Sequence, residues 1–206
     1  AETRQTLISA GYAFTSKTDT EVIIALYDKY RADCVQYLRG MFAFAIYDEQ
    51  ENVLFCARDR LGKKPLKYFY NSEVFLFASE LKAILTQKEY AKGIDYPALN
   101  HYLSFQYVPA PLTGFKNIQK LEPAHSLTVD LNTKSITKKR YWHLDFSKKL
   151  SLSTQAWSRK IRSKLEESVS IRMVSDVPIG AFLSGGIDSS AVVGMMSKHS
   201  AAAIKT

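Results

Sequence analysis

The chain has 206 residues, of which 46% are hydrophobic and 23% are charged, a balance that excludes a disordered or fibrous protein and fits one large or two small domains. The net charge of +8 is compatible with nucleic acid, anionic lipid or a phosphorylated small molecule, and charge alone does not choose among these partners. No apolar run approaches the length of about 20 residues that spans a bilayer, and no secretory signal opens the chain, so the sequence predicts a soluble protein that is not exported.

The first predicted element is a helix from Asp19 to Tyr30. Thr18 and Glu21 have the spacing of a capping box, and apolar residues recur at helical intervals after them. A second, shorter helix is expected to end at Arg39-Gly40.

Four strands are predicted between residues 41 and 79. Four short runs of aromatic and β-branched residues lie there, separated by Asp, Glu, Asn, Gly or Pro, and this pattern predicts an antiparallel meander. The runs at 41–47 and 53–57 are apolar at nearly every residue. We therefore expect both faces of that sheet to be covered.

Two helices and a hairpin follow. Ser79 is expected to cap a helix that starts at Glu80, and a further helix is expected around 96–103. A hairpin at about 124–142 leads into a Lys-rich and Ser-rich segment at 145–154, which has the composition of an exposed linker. We place a domain boundary in this segment, so that residues 1–150 and 151–206 form separate domains.

The pattern changes after this boundary. A helix beginning at Ser153 or Thr154 is expected to bury one stripe of residues spaced four apart, namely Trp157, Ile161, Leu165 and Val169. A buried strand of the parallel type is predicted at 177–183, a glycine loop at 184–190 and a helix at 191–198. A strand, a glycine loop and a helix in this order are typical of an α/β nucleotide-binding unit.

The glycine loop has the chemistry of a phosphate site. Paired glycines between strand and helix let backbone N–H groups point inward, with the positive end of the helix dipole behind them. The spacing is that of neither a Walker loop nor a dinucleotide fingerprint. The alternative interpretation is a tight turn in which Asp188 or Ser189 caps the following helix.

Specific resemblances lie in five segments. Residues 184–189 are similar to the pyrophosphate loop of ATP pyrophosphatases, and residues 172–190, RMVSDVPIGAFLSGGIDSS, resemble the start of the synthetase domain of glutamine-hydrolysing asparagine synthetases. The segments 16–22, 38–48, 57–66 and 77–83 resemble the glutaminase domain of the same family, in its order. Together these segments do not separate asparagine synthetases from β-lactam synthetases, lasso-peptide cyclases or polysaccharide-linked amidotransferases.

The resemblance implies an α/β fold in two parts. Residues 1–150 would form the later part of a glutamine amidotransferase domain, an N-terminal-nucleophile-hydrolase layered sandwich with an antiparallel sheet. Residues 151–206 would form the first α-β-α of an adenine nucleotide α-hydrolase-like parallel sheet, the start of the ATP-binding synthetase domain. The family's nucleophile is an N-terminal cysteine, whereas residue 1 is Ala. We therefore expect an internal segment without the catalytic nucleophile, inactive as a glutaminase on its own.

The activity implied by the resemblance is ATP-dependent transfer of the amide nitrogen of glutamine to aspartate through aspartyl-AMP. Asp19 would pair with the α-ammonium group of glutamine. The alternative interpretation of Asp19 is a first-turn acid that the helix dipole favours.

The resemblance also implies ATP and Mg²⁺ as cofactors. Leu183 would lie against the adenine nucleotide, and Asp188 would bind Mg²⁺. The phosphate groups would be held by Ser184, Gly185, Gly186, Ser189 and Ser190. The partners expected are glutamine, aspartate and ATP, with a homodimer as a possibility, no nucleic acid and no membrane. The expected compartment is the cytoplasm.

The remaining chemically active residues receive structural interpretations. Cys34 and Cys56 lie in apolar contexts without metal or disulfide spacing and are expected to be core thiols. Residues 58–60, Arg-Asp-Arg, are expected to form a salt-bridge network at a strand end. The four histidines carry no catalytic or metal spacing, and the lysine clusters at 138–140 and 148–149 are interpreted as solvated faces. Two rival functions stay open, namely an enzyme with another carboxylate acceptor and a catalytically silent interaction module.

Overall fold

The computed structural model describes residues 2–71, 73–175 and 177–206, which fall into two compact units, Ala1–Leu144 and Asp145–Thr206. Ala1, at which no nucleophile was expected, and Asp176, part of the motif at 172–190, lie outside the described residues. The elements of the first unit are α1 (Glu2–Ser9), α2 (Asp19–Tyr30), a 3₁₀ helix (Arg31–Tyr37), β1 (Ala43–Asp48), β2 (Val53–Arg58), β3 (Lys67–Tyr70), β4 (Phe75–Ala78), α3 (Leu81–Leu85), α4 (Tyr96–Phe105), β5 (Ile118–Lys120), β6 (His125–Asp130) and β7 (Ser135–Arg140). The second unit contains α5 (Thr154–Ser170) and α6 (Ile187–His199).

The strands form two antiparallel sheets, with the orders β1-β2-β6-β7 and β4-β3-β5. The predicted four-stranded meander is therefore wrong. β2 pairs with β6, so that Phe55 lies opposite Thr128, and β3 pairs with β5, so that Phe69 lies opposite Ile118. The hairpin predicted at 124–142 is confirmed as β6 and β7. The fold is a mixed α/β fold with antiparallel sheets.

The first unit is built in four layers. Phe55 of β2 packs in an apolar cluster with Leu26 of α2, whereas the next residue, Cys56, belongs to a cluster on the opposite face with Tyr68 of β3. Phe69 then points away from that cluster to a third one, which contains Ile84 of α3. The order is thus helices, first sheet, second sheet and helix. The expectation that both faces of the sheet are covered is confirmed for β2, whose alternate side chains point to opposite covered faces. It is wrong for the run at 41–47, in which Met41 and Tyr47 are 54% and 53% exposed.

The observed ends and caps of the helices agree only in part with those predicted from the sequence. α2 has the predicted bounds, but its N-cap residue Thr18 makes no side-chain capping bond. α4 is confirmed, and the side chain of Asp95 caps it by accepting a hydrogen bond from the backbone N–H of Ala98 at 3.0 Å. Ser79 was wrong as the cap of α3, because the N-cap residue is Glu80 and the helix begins at Leu81.

The helices of the second unit pack at one end. The side chain of Ser153 caps α5, as predicted, by accepting from the backbone N–H of Ala156. Val169 and Met196 are buried where α5 meets α6, whereas Ile161 is 60% exposed. The prediction of one continuous buried stripe on α5 is therefore wrong.

None of the helices in the described ranges is long and apolar enough to cross a membrane.

The strand predicted at 177–183 is absent from the described residues of that segment. The backbone makes a single parallel bridge, between Gly180 and Lys205, and Phe182 is fully exposed. A parallel strand is stabilised by continuous pairing with its neighbours and by layers packed on its faces, and this bridge pairs the segment at one point only. α6 also begins earlier than expected, at Ile187, with Gly186 as its N-cap residue.

Candidate functional site

Asp19 is the exposed first residue of α2 and lies between two clefts. The larger cleft has a volume of about 590 Å³ and the smaller one about 370 Å³. Asp19, Ile23, Met41 and Phe42 line both. A carboxylate at this position is accessible from either side.

The larger cleft runs along β1, which is an edge strand of the first sheet. Its apolar part is formed by residues 41–47 together with Ile23, Ile24 and Pro65. Asp19, Lys64 and Ser79 add polar groups to this lining. The cleft therefore offers an apolar wall with charged groups at its margin.

The smaller cleft combines both signs of charge. Two acidic residues, Glu2 and Asp19, and three basic residues, Arg4, Lys17 and Arg39, contribute to its lining. A free amino acid carries an ammonium and a carboxylate on one carbon atom. The charges of this cleft are complementary to such a ligand.

The loop before Asp19 is held by the carboxylate of Glu21. Oε1 accepts hydrogen bonds from the backbone N–H and the hydroxyl of Thr15, and Oε2 accepts from the backbone N–H and the hydroxyl of Ser16. The hydroxyl of Ser16, followed by the backbone N–H groups of Thr15 and Ser16, lowers the pKa of Glu21 to about 2. Sequence reasoning assigned Glu21 to a capping box and missed this role, although the hydroxyl residues at 15–18 were a signal for it.

Asp59 is buried and stabilises the turn after β2. Its carboxylate accepts backbone N–H groups from Phe42, Leu61, Lys63 and Lys64. Burial raises the pKa of Asp59, but these hydrogen bonds outweigh it, and the pKa lies below its ordinary value.

The arginines beside Asp59 bind main-chain carbonyl groups. Arg58 donates to Gly62, Lys64 and Leu121, and Arg60 donates to Leu38 and Gln36. The predicted salt-bridge network at 58–60 is therefore wrong, because the hydrogen bonds that hold these side chains are to the backbone.

Cys34 and Cys56 are fully buried, in the 3₁₀ helix and in β2 respectively. Burial raises the pKa of both thiols to about 12. Because the thiolate is the nucleophilic form, neither side chain is suited to catalysis at neutral pH. The interpretation of both as core thiols is confirmed.

The glycine loop of the second unit has a defined hydrogen-bond pattern. Gly185 has φ +80°, and the hydroxyl groups of Ser184 and Ser189 lie 3.0 Å apart. The Ser189 hydroxyl also donates to the carbonyl of Gly186 at 3.1 Å. The capping residue of α6 is Gly186, so the alternative in which Asp188 or Ser189 caps this helix is wrong. Gly186 makes no side-chain cap, which leaves N–H groups at the helix start for another acceptor.

The side chains around this loop fit a phosphate-bound metal better than a metal held by protein alone. Asp188 is exposed in the first turn of α6, Ser190 is exposed beside it, and Leu183 is 47% exposed. Within the described ranges, no group of three or more His, Cys, Asp and Glu side chains is placed to hold a metal ion. Mg²⁺ is commonly bound by one or two carboxylates together with substrate phosphates, so a single Asp188 fits that mode.

Comparisons with known proteins divide the chain in two. A family model described as a glutamine amidotransferase domain matches residues 1–142, and one described as asparagine synthase matches residues 160–206. The chain is 40% identical over 197 residues to asparagine synthetase [glutamine-hydrolyzing] 3 of Bacillus subtilis, a match that covers 95% of this chain and 32% of the relative. It is 35% identical over 190 residues to amidase chry2 of Gibberella zeae, covering 90% of this chain and 27% of that protein. The chain thus spans about 27% to 32% of the length of these relatives.

A solved structure of glutamine phosphoribosylpyrophosphate amidotransferase from B. subtilis also matches, with 15% identity and a TM-score of 0.45. The match covers 96% of this chain and 41% of that chain.

Proposed function

The chain belongs to the glutamine amidotransferase domain family, and we propose that it takes part in ATP-dependent transfer of the amide nitrogen of glutamine to aspartate. The first unit is then the later part of an N-terminal-nucleophile-hydrolase-type glutaminase. The second unit is the start of an adenine nucleotide α-hydrolase-like domain that binds ATP. Both halves of this proposal are supported by relatives named as glutamine-hydrolysing asparagine synthetases.

The observation that carries the proposal is the position of Asp19. Its exposed carboxylate stands between a cleft with an apolar wall and a cleft with both signs of charge. Glutamine has a zwitterionic head and a side chain that is apolar up to its amide. We assign the Asp19 carboxylate to the α-ammonium group of glutamine.

In the second unit, the proposal assigns phosphate binding to the glycine loop. Backbone N–H groups at Gly185 and Gly186 and hydroxyl groups of Ser184, Ser189 and Ser190 are donors of the kind that phosphate oxygens accept. Leu183 would contact the adenine nucleotide. Asp188 would hold Mg²⁺, which offsets negative charge on the phosphates.

The proposed chemistry proceeds in three steps. Water hydrolyses the amide of glutamine and gives glutamate and ammonia. A side-chain carboxylate oxygen of aspartate attacks the α-phosphorus of ATP, which forms aspartyl-AMP and releases pyrophosphate. The ammonia then attacks the acyl carbon of aspartyl-AMP, displaces AMP and loses a proton, so that asparagine is formed. We place this chemistry in the cytoplasm, because that reducing compartment keeps unpaired thiols such as those of Cys34 and Cys56 reduced.

A second candidate keeps the glutaminase and changes the acceptor. It is favoured by the similarity to amidase chry2, a relative that is named as an amidase and not as an asparagine synthetase. Amide formation with a panel of carboxylates, measured on a protein that contains this chain and a complete synthetase domain, separates the two. Exclusive use of aspartate supports the first candidate.

The test of the glutaminase assignment is calorimetric titration of the chain with L-glutamine. Asp19→Asn removes the charge and keeps the size, so we expect it to weaken binding about tenfold, the effect of one charge-assisted hydrogen bond. The matched control is Asp28→Asn, on the same helix, where the carboxylate accepts from the hydroxyl of Tyr12 at 2.7 Å. Equal binding by Asp19→Asn and the unaltered chain, or no binding by the unaltered chain, would contradict the assignment.

A further inference from the structure

We infer that Glu21 and Arg4 are positioning residues, which fix Asp19 in the orientation that binds the α-ammonium group of an amino-acid ligand. The inference rests on the proposed function, in which Asp19 contacts glutamine. We infer their effect on that contact from the loop that they hold, which carries Asp19, and not from a bond of their own to the α-ammonium group.

The two carboxylates of the first turn of α2 have different surroundings. Among the described residues, no hydrogen bond or ion pair engages the carboxylate of Asp19, whereas that of Glu21 accepts four hydrogen bonds from Thr15 and Ser16. Asp19 is therefore left for a ligand, and its direction depends on the backbone that carries it.

Arg4 holds that backbone from the other side. Its guanidinium donates from Nη1 to the carbonyl of Ser16 at 2.7 Å and from Nη2 to the carbonyl of Thr18 at 2.6 Å. Thr18 directly precedes Asp19. Nη1 also lies 4.0 Å from Oε2 of Glu21, and the guanidinium stacks 4.5 Å above the ring of Phe14.

These contacts close a clamp around residues 15–18. Glu21 binds the N–H groups at its start, Arg4 binds carbonyl groups at its middle and end, and the Ser16 hydroxyl accepts from the backbone N–H of Thr18 at 3.2 Å. The side chains of Arg4 and Glu21 are 22% and 26% exposed, so most of the surface of each is covered by the protein. Without the clamp, the ligand would have to order the loop on binding, which weakens affinity.

The experiment compares L-glutamine with glutaramic acid, which is glutamine without the α-amino group. The ratio of the two affinities reports the contact with the α-ammonium and is insensitive to a general loss of the cleft. We expect Glu21→Gln and Arg4→Met to lower this ratio about fivefold to tenfold, since each removes a charge-assisted interaction that fixes the loop. Asp19→Asn should lower it at least as far, and Asp28→Asn should leave it unchanged.

The double variant Asp19→Asn with Glu21→Gln should show the ratio of Asp19→Asn alone, because the effect of Glu21 passes through Asp19. Arg4→Lys keeps the charge but cannot donate to two carbonyl groups in the same way, and it serves as the milder variant if Glu21→Gln does not fold. We expect it to lower the ratio as well.

The outcomes separate the inference from the function on which it rests. If Asp19→Asn loses the preference for glutamine and Glu21→Gln and Arg4→Lys keep it, the positioning role is overturned and the glutamine site stands. If Glu21→Gln weakens both ligands equally, its role is only structural and the inference is again overturned. If Asp19→Asn keeps the preference, the glutamine site itself is wrong.

Discussion

The guanidinium of Arg58, at the end of β2, donates a hydrogen bond at 2.6 Å to the carbonyl oxygen of Leu121, 63 residues later in the chain. The backbone N–H of Leu121 in turn donates to the carbonyl of Leu66, just before β3. Arg58 therefore ties the first sheet to the second sheet. The hydroxyl of Tyr141, which lies near the C-terminal end of the first unit, donates to the carbonyl of Arg58. This hydrogen bond also holds the end of β2 in place.

Replacing this arginine should destabilise the first unit. Arg58→Lys retains the charge but makes fewer of the bonds to the carbonyl groups of Gly62, Lys64 and Leu121. Because the carbonyl of the buried Leu121 loses its donor, we expect the free energy of unfolding to fall by about 1–2 kcal/mol. Urea unfolding followed by near-ultraviolet circular dichroism measures it. Arg140→Lys, at an exposed arginine of β7, is the control and should change the free energy by less than about 0.5 kcal/mol.

The turn that follows Arg58 depends on glycine. Gly62 has φ +64°, and a Cβ atom there would lie 2.8 Å from Cγ of Pro123 and 3.0 Å from Cζ of Arg58. Gly62→Ala should therefore cost more than the 1–2 kcal/mol of a left-handed backbone alone, about 2–3 kcal/mol in total. Gly114→Ala is the matched control, since a Cβ at Gly114 meets no atom within 4 Å. Similar melting temperatures for the two variants would show that the turn tolerates a side chain.

Local patterns in the sequence were sufficient to predict the helices that carry their own signals. The bounds of α2, the presence of α4 and the cap of α5 at Ser153 all follow from residues within one or two turns. The pairing of β2 with β6 and of β3 with β5 did not follow, because these partners lie about 50 to 77 residues away in the chain. The turn residues between 41 and 79 give no information on them.

The candidate site was predictable to a smaller extent. Asp19 was identified by resemblance, whereas the clefts on either side of it depend on tertiary packing that no local pattern encodes. The larger cleft is lined by α2 and residues 41–47, and the smaller one by α1, the start of α2 and the segment that follows the 3₁₀ helix. The apolar run at 177–183 has the composition of a buried strand, yet Val177 is 69% exposed. Composition alone does not show whether neighbouring strands are present to cover such a run.

The clamp at Glu21 should make stability depend on acid pH. The folded-state pKa of Glu21 is lowered from 4.5 to about 2, so the ionised form stabilises the folded state above pH 4.5 and this contribution is lost as the pH falls towards 2. The free energy of unfolding of the unaltered chain should thus fall more steeply than that of Glu21→Gln between pH 4.5 and pH 2. Denaturant titrations at closely spaced pH values measure both slopes. Parallel slopes would show that Glu21 is not held as described.

The glycine loop of the second unit contains one glycine whose conformation excludes side chains and one whose conformation permits them. Gly185 has φ +80°, whereas Gly186 has φ −74° and a Cβ there would approach Oγ of Ser184 only to 3.4 Å. Gly185→Ala should therefore distort the loop and weaken pyrophosphate binding about tenfold, the equivalent of 1–2 kcal/mol of backbone strain. Gly186→Ala should keep the loop conformation. Amide chemical shifts during a pyrophosphate titration report both, and equal behaviour of the two variants would contradict the assignment of strain to Gly185.

A substitution at Asp188 should distinguish metal binding from phosphate binding at the glycine loop. Its carboxylate is exposed in the first turn of α6, close to where the N–H groups of the helix start would meet phosphate oxygens. Asp188→Asn keeps the size and removes the charge, so the affinity for ATP with Mg²⁺ should fall about tenfold, as expected for a lost carboxylate ligand. The affinity for metal-free pyrophosphate should stay the same or rise, because a repulsive negative charge is removed. Lys198→Ala, at the opposite end of α6, is the control for general surface charge and should affect both ligands only slightly. If Asp188→Asn weakens both ligands equally, Asp188 stabilises the loop and does not bind the metal.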